Sequence, residues 1–325
     1  MRAAFYEKNG PAAEVLKIGD VPTPAPGPGE VRVRLATSGV NPSDVKSRAG
    51  LTRKIAFPLV IPHSDGAGII DVVGDGVPAT RVGERVWTWN AQWKRPFGTC
   101  AEYLVLPAGM AVPLPDQIDF AAGACLGIPA MTAYHAVAVA EAWAGSTLFI
   151  SGGAGAVANY AIQFAKARGA VVITSVSSEA KAKLAVAAGA DHVVDYKREN
   201  VGERVMELTD RAGVDAVIEL DLAANARLIP AILRPRGLVV VYGTAGEAQL
   251  PAQWFLVNAV TVRFVFVYEL TPEERAAAIA GITRMLEDKR LINNVAHELP
   301  LDHVVAAHEA VEQGKAAGNV VVRLG

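Results

Sequence analysis

Cysteine is nearly absent from the 325 residues: Cys100 and Cys125 are the only two. Two thiols this far apart can neither staple a small secreted scaffold nor form a Cys-rich zinc site, and such sparse usage fits a reducing cytoplasm. No apolar run approaches the length of a membrane span, and the opening MRAAFYEKNG lacks the apolar stretch of a signal peptide. Net charge is missing too: it is −2 with the signs interspersed, so no positive field gathers nucleic acid or anionic lipid. These absences argue against a disulfide scaffold, a membrane protein and a polyanion binder. They leave the expectation of a soluble, cytoplasmic protein whose partner is a small molecule.

What is present is core material. Half of the chain is apolar (51%), and its length suits two domains better than one. The first third reads as short strands punctuated by Pro and Gly: GEVRVRLATSGV puts Val31, Val33 and Leu35 on one face, and DGAGIIDVVGDGV and GERVWTW follow, a spacing that suits a small β-barrel. PTPAPGPGE is an extended connection in which proline excludes helix. From about residue 120 the pattern changes to Ala-rich helical segments alternating with six apolar runs: STLFISG, AVVITSV, HVVDY, VDAVIEL, LVVVYGT and AVTVRFVFV. Strands separated by crossover helices imply an α/β fold with a parallel, doubly wound six-stranded sheet. Past residue 260 the pattern is mixed again, with Thr271, Pro272 and Glu274 forming the N-cap, first helical position and capping box of a helix through Met285, and NVVVRLG a final strand.

The chemistry concentrates in SGGAGAVA. Gly153, Gly155 and Ala158 occupy the small positions of a G-x-G-x-x-A fingerprint between a strand and an amphipathic helix that carries Val157, Ala161, Phe164 and Ala165 on one face. The first glycine permits the turn, the second lets a pyrophosphate approach the backbone, and unpaired amides at the helix start face the anion. A glycine turn chosen for packing is the plainer reading of the same residues. About 20 residues on, NAD-preferring sites place a carboxylate for the ribose hydroxyls. Here Val176 stands there, followed by Ser177, Ser178 and Lys181. Neutral hydroxyls plus a cation suit a 2′-phosphate, although Lys181 also fits a solvated helix face.

The segments GVNPSDVKSRAG, IPHSDGAGIIDVVGDGV, VGERVW, GTCAEYLVLP, GIPAMTAYHAV, SGGAGAVA and GADHVVDYKREN together resemble the zinc-free quinone oxidoreductase, zeta-crystallin-like branch of the medium-chain dehydrogenase/reductase family along nearly the whole chain. The resemblance implies a GroES-like catalytic domain over residues 1–122, a Rossmann dinucleotide-binding domain over 123–262 and a C-terminal segment, 263–325, that completes the catalytic domain. It implies NADPH as cofactor, with Gly153, Ala154, Gly155, Ala156 and Val157 as the phosphate loop and Ser177, Lys181 and Tyr196 around the 2′-phosphate. Asn225, Gly243, Thr244, Val265, Phe266 and Val267 match positions near the adenine, ribose or nicotinamide, and Asn41, Lys46, Thr132 and Asn319 also fall at cofactor-lining positions.

Zinc-dependent relatives carry Cys at the position of Asn41, His at that of Ser64 and Cys near Ile128; none of these three is a competent ligand, so no metal is expected. His63, one residue displaced, reads as a polar loop residue. Without a Lewis acid, alcohol oxidation loses its main catalytic term, whereas hydride delivery to an already electrophilic quinone or α,β-unsaturated carbonyl needs positioning, a hydrogen bond and a proton. Several relatives hold a tyrosine near the position of Val60, and this chain does not. The catalytic candidates are therefore Asn41, as donor to the acceptor's oxygen, and Asp44, for which holding the Asn41 loop is the favoured role. Trp87 alternates into the barrel, and Trp93 is a candidate lip for a flat substrate. The competing functions are a non-catalytic, crystallin-like NADPH binder and an RNA binder, the second opposed by the charge balance. AVTVRFVFV, as an apolar edge strand, implies a homodimer.

Overall fold

The computed structural model describes all 325 residues. Its strands in chain order are β1 (Arg2–Phe5), β2 (Lys17–Asp20), β3 (Glu30–Val40), β4 (Asp65–Val73), β5 (Arg85–Thr88), β6 (Tyr103–Pro107), β7 (Ala111–Pro113), β8 (Thr147–Ile150), β9 (Val171–Val176), β10 (His192–Asp195), β11 (Val214–Glu219), β12 (Leu233–Val241), β13 (Thr261–Phe264), β14 (Val295–Pro300) and β15 (Asn319–Arg323). The chain divides into two compact units, Met1–Pro129 with Ile282–Gly325, and Ala130–Gly281. The expected boundaries at 122/123 and 262/263 lie 7 and 19 residues before this division. A continuous helical run carries Leu126–Ala130 into the helix Met131–Val139, and the second crossing falls inside the helix Pro272–Glu287.

In the first unit seven strands form one sheet in the order β14-β15-β3-β4-β5-β7, with β6 also on β3. The long strand β3 shares one edge between two partners: its first half pairs with β6 and its second half with β15, while β4 runs antiparallel along the other edge. The alternation in EVRVRL drives this. Val31, Val33 and Leu35 turn inward onto Leu104, Leu106, Val320 and Val322, all buried. Trp87 is fully buried in β5, as its alternation implied.

The second unit holds a six-stranded sheet of order β10-β9-β8-β11-β12-β13 in which every pairing is parallel. All six apolar runs read from the sequence are its strands. The helices Ala156–Ala167, Glu179–Ala187 and Val201–Leu208 connect successive strands from β8 to β11. The chain builds outward from β8 to β10, then returns to place β11 against β8, so the order reverses there: this is the doubly wound Rossmann arrangement with its switch point between β8 and β11. Phe149, Ile173, Val194, Val217 and Val239 are buried in its core. The capping box opens the Pro272–Glu287 helix as expected: Glu274 N–H donates to Thr271 Oγ1 (3.2 Å) and Thr271 N–H to Glu274 Oε2 (2.9 Å). No helix is long and apolar enough to cross a membrane.

Candidate active site

The carboxyl edge of the parallel sheet collects the residues expected to bind a dinucleotide. Residues 152–155 follow β8, Ser177 follows β9, Tyr196 follows β10, Asn225 lies beyond β11, Gly243 and Thr244 follow β12, and Val265, Phe266 and Val267 follow β13. The fingerprint glycines divide their work differently from the sequence expectation. The left-handed turn is made by Gly152, at φ +71°, whereas a Cβ on Gly153 would lie 2.3 Å from Thr174 Oγ1, so Gly153 serves close packing against β9. Gly155 is the N-cap of the Ala156–Ala167 helix and provides no side chain to satisfy its first amides. Those amides, with no Cβ at Gly155 to block the approach, fit a pyrophosphate. The helix itself is buried nearly all round, including Asn159 and Gln163, and Val157 is one of its less buried members, which replaces the one-faced burial expected of it.

At the far end of the edge, Tyr196 N–H bonds Val176 O (3.1 Å), which sets the exposed Tyr196 beside Ser177. Ser178 caps the Glu179–Ala187 helix by accepting Lys181 N–H (3.4 Å), so half-buried Lys181 stands in that helix's first turn. Ser177 and Tyr196 are thus neighbours at the ends of β9 and β10, Lys181 stands in the helical turn that follows, and Val176 rather than a carboxylate ends β9. Beyond the switch point, Asn225 Nδ2 donates to Glu219 (2.8 Å), which also accepts from Ser151 Oγ (2.6 Å) and Asp221 N–H (2.6 Å); burial pushes the Glu219 carboxyl up. Thr132 is buried in the first turns of the Met131–Val139 helix.

Asn41, Asp44, Lys46 and Asn319 belong to the first unit. The sequence NPSD makes Asn41 the N-cap, Pro42 the first helical residue and Asp44 the third, and the helix Pro42–Ala49 opens with the capping box this pattern encodes. Asp44 Oδ2 accepts the Asn41 N–H (2.8 Å), the holding role favoured for it. The Asn41 amide then reaches across to β4, where Nδ2 donates to Asp65 Oδ2 (2.8 Å). Lys46 lies one turn along the same helix, half-buried, and Asn319 at the start of β15 donates from Nδ2 to Asn294 O (3.1 Å). Burial drives both carboxyls upward: Asp44 rises to about 7, despite the Asn41 hydrogen bonds and the Arg53 charge that lower it, and Asp65 rises well above the carboxylate range, helped by Asp44. One asparagine thus bridges a carboxyl that keeps its proton and another that titrates near neutrality.

Three members of this neighbourhood escaped the sequence reading. Asp65 was visible only as part of a strand; room for it comes from Gly127, whose Cβ would lie 2.3 Å from Asp65 Oδ1. Arg53 donates from Nε to Ser47 Oγ (3.0 Å) and from Nη2 to Gln92, under Trp93, whose ring is 5.3 Å from the guanidinium carbon. Lys94 Nζ lies 5.4 Å from the same ring, so the lip tryptophan is flanked by two cations. His63 does lie in a loop, as expected, but it is fully buried there, at φ +77°. Periodicity carries no signal for Asp65 and His63, because their partners Asn41 and His308 are distant in sequence, nor for Arg53 and Lys94, which lie outside any helix or strand.

No three His, Cys, Asp or Glu side chains come together as a metal-binding group. Ser64 and Ile128, which the resemblance sets at and near zinc-ligand positions of metal-dependent relatives, are buried.

Two family models match the chain: Alcohol dehydrogenase GroES-like domain over residues 27–116 and Zinc-binding dehydrogenase over residues 156–284. The quinone oxidoreductase of Rattus norvegicus is 34% identical over 316 residues, 96% of this chain and 94% of its own. Among solved structures, an NAD-dependent alcohol dehydrogenase superposes with a TM-score of 0.92 at 28% identity, with 100% of each chain covered. A mycobacterial protein complexed with NADPH superposes with a TM-score of 0.89 at 29% identity, over 99% of this chain and 100% of that one.

Proposed function

Because the chain belongs to the quinone oxidoreductase-like branch of the medium-chain dehydrogenase/reductase family, we propose that it is an NADPH-dependent oxidoreductase that reduces a quinone or an α,β-unsaturated carbonyl without a metal. The observation that carries this reading is the Asn41 bridge between two buried carboxyls. It sets a neutral amide, at the position where the resemblance puts a Cys in zinc-dependent relatives, beside an acid that titrates near neutrality.

Bound NADPH supplies the hydride. The residues of this chain do the rest. The uncapped amides after Gly155 hold the pyrophosphate, and Ser177, Lys181 and Tyr196 hold the 2′-phosphate. Asn41 keeps one amide hydrogen on Asp65; the other, turned toward Asp44 in the free protein, passes to an incoming acceptor oxygen, which is met where amide and acid converge. As negative charge develops on that oxygen the amide stabilises it, and Asp44 returns the proton. An acid titrating near 7 can both give and regain a proton at neutral pH. Trp93 offers a ring face to a planar acceptor.

The exposed edge of the parallel sheet supports a homodimer. Strand β13 pairs only with β12, and beside it Phe264 (69% exposed) and Phe266 (54%) form an apolar margin that pairing with a second copy would bury.

The test is a panel of 1,4-quinones, enones and simple aldehydes with NADPH. Turnover of quinones or enones with aldehydes inert supports the proposal. Tight NADPH binding with no acceptor accelerating its oxidation would leave a cofactor-binding protein that is no enzyme.

A further inference from the structure

His63 and His308 face each other in the core of the first unit, 245 residues apart in sequence, with Nε2···Nε2 at 2.9 Å and ring centroids 5.0 Å apart. From His63 the contacts continue: Nδ1 to Ser38 Oγ at 2.8 Å, Ser38 Oγ to Thr99 Oγ1 at 2.7 Å, and Thr99 Oγ1 to the Asp65 carbonyl at 2.5 Å. The end of this chain fixes the direction of every bond in it. A peptide carbonyl can only accept, so Thr99 spends its hydrogen on Asp65 and must accept from Ser38. Ser38 therefore accepts from His63, which carries its hydrogen on Nδ1 and offers a bare Nε2. His308 must then donate from Nε2, which leaves its own Nδ1 bare.

Two further observations agree with this assignment. His308 Nδ1 and Arg48 Nε are both buried without a hydrogen-bond partner, an acceptor and a donor in the same core, and the Arg48 guanidinium is one of the charges that hold His308 neutral. The backbone at His63 sits in the left-handed region, a conformation that persists where its surroundings over-determine it. Here they do: Gly98, Thr99 and Cys100 donate their N–H groups to the carbonyls of Ile61, His63 and Pro62 in turn. A route ending on a carbonyl cannot pass a proton onward, so the chain is a brace and not a wire.

We propose that His63 and His308 are positioning residues for the reduction described above: the neutral imidazole pair, through Ser38 and Thr99, fixes the peptide of Asp65 and with it the carboxyl that orients Asn41. The charged and titratable groups around the pair are Arg48 on the Pro42–Ala49 helix, with its partner Glu312 (3.0 Å) on the helix Val304–Glu312 that also carries His308, and Asp44 and Asp65 on the Asn41 side. The kinetic readout rests on the proposed reaction, whereas the tautomers can be read without it.

The test combines long-range nitrogen–proton NMR of histidine-labelled protein with the variants His308→Leu, His308→Gln and Thr99→Val. The wild type should show His63 protonated on Nδ1 and His308 on Nε2. His308→Leu, which cannot donate, should lower kcat by roughly ten- to a hundred-fold, the scale of a misplaced catalytic group, with the NADPH Kd little changed and the Asn41 side-chain amide resonances shifted. His308→Gln, whose amide can donate, should restore most of kcat. Thr99→Val cuts the chain next to Asp65 at nearly constant volume and should reproduce the kinetic loss if the leucine variant does not fold. Reversed tautomers, or wild-type turnover and unmoved Asn41 resonances in both His308→Leu and Thr99→Val, would overturn the brace. Assigned tautomers and shifted Asn41 resonances in a protein that reduces no acceptor would leave the brace standing and remove the reaction.

Discussion

In the proposed mechanism the residue that decides the chemistry is Asp44, and its burial gives its titration a direction. With the folded-state value raised to about 7, its protonated form is the acid, so kcat should fall as pH rises through that value. Asp44→Asn keeps the shape of the capping box but holds no transferable proton; it should lower kcat and abolish that alkaline limb, which a pH–rate profile would show. In the second unit, Lys181→Ala should weaken NADPH by roughly ten-fold or more, the worth of a charge-assisted hydrogen bond, and leave NADH binding unchanged in a parallel titration. Equal loss for both cofactors would remove Lys181 from the phosphate site. Residues whose function follows from local backbone were legible in the sequence. The capping box of Thr271 and Glu274 and the hold of Asp44 on Asn41 both act within three residues of themselves. His63 was not legible, because what makes it a buried brace is a second histidine near the other end of the chain.

At the scale of elements, the six strands of the parallel sheet were readable because each is an apolar run bounded by turns and helices, and the helices between them imply parallel pairing. The first unit was less so. That β3 divides one edge between β6 and β15 depends on pairings with segments more than 60 and nearly 300 residues away, and alternation reports a buried face but never a partner. The Thr271 cap is a local feature with a local cost. Thr271→Ala should destabilise by about 1 kcal/mol in denaturant titration without altering turnover. In the proposed homodimer the outer strand β13 would carry the association: Phe264→Glu places charge on the apolar margin and should convert a dimer to monomer by light scattering, with the fold intact by circular dichroism. If the wild type is already monomeric at micromolar concentration, the edge needs another explanation.

For the molecule as a whole, the buried titratable groups oppose each other across mildly acidic pH. Burial holds His63 down to about 3, and His308 lies well below its ordinary value, so both stay neutral in the fold while the unfolded chain takes up protons below about 6.5. Their contribution to stability is complete above that value and is lost as pH falls toward 3. The raised carboxyls work the other way, contributing below about 4 and losing that contribution as pH climbs through their folded values. The His63→Gln/His308→Gln double variant should therefore lose less stability than wild type between pH 6.5 and 4, measured as denaturation midpoints across pH. A variant with the wild-type acid slope would mean that the pair is not neutral in the fold. The most direct measurement of the central claim is quinone-dependent NADPH oxidation by protein stripped with a strong chelator and checked for metal by elemental analysis. The account predicts full turnover, one quinone reduced per NADPH oxidised, with added zinc giving no gain; activity lost on stripping and regained with zinc would contradict it.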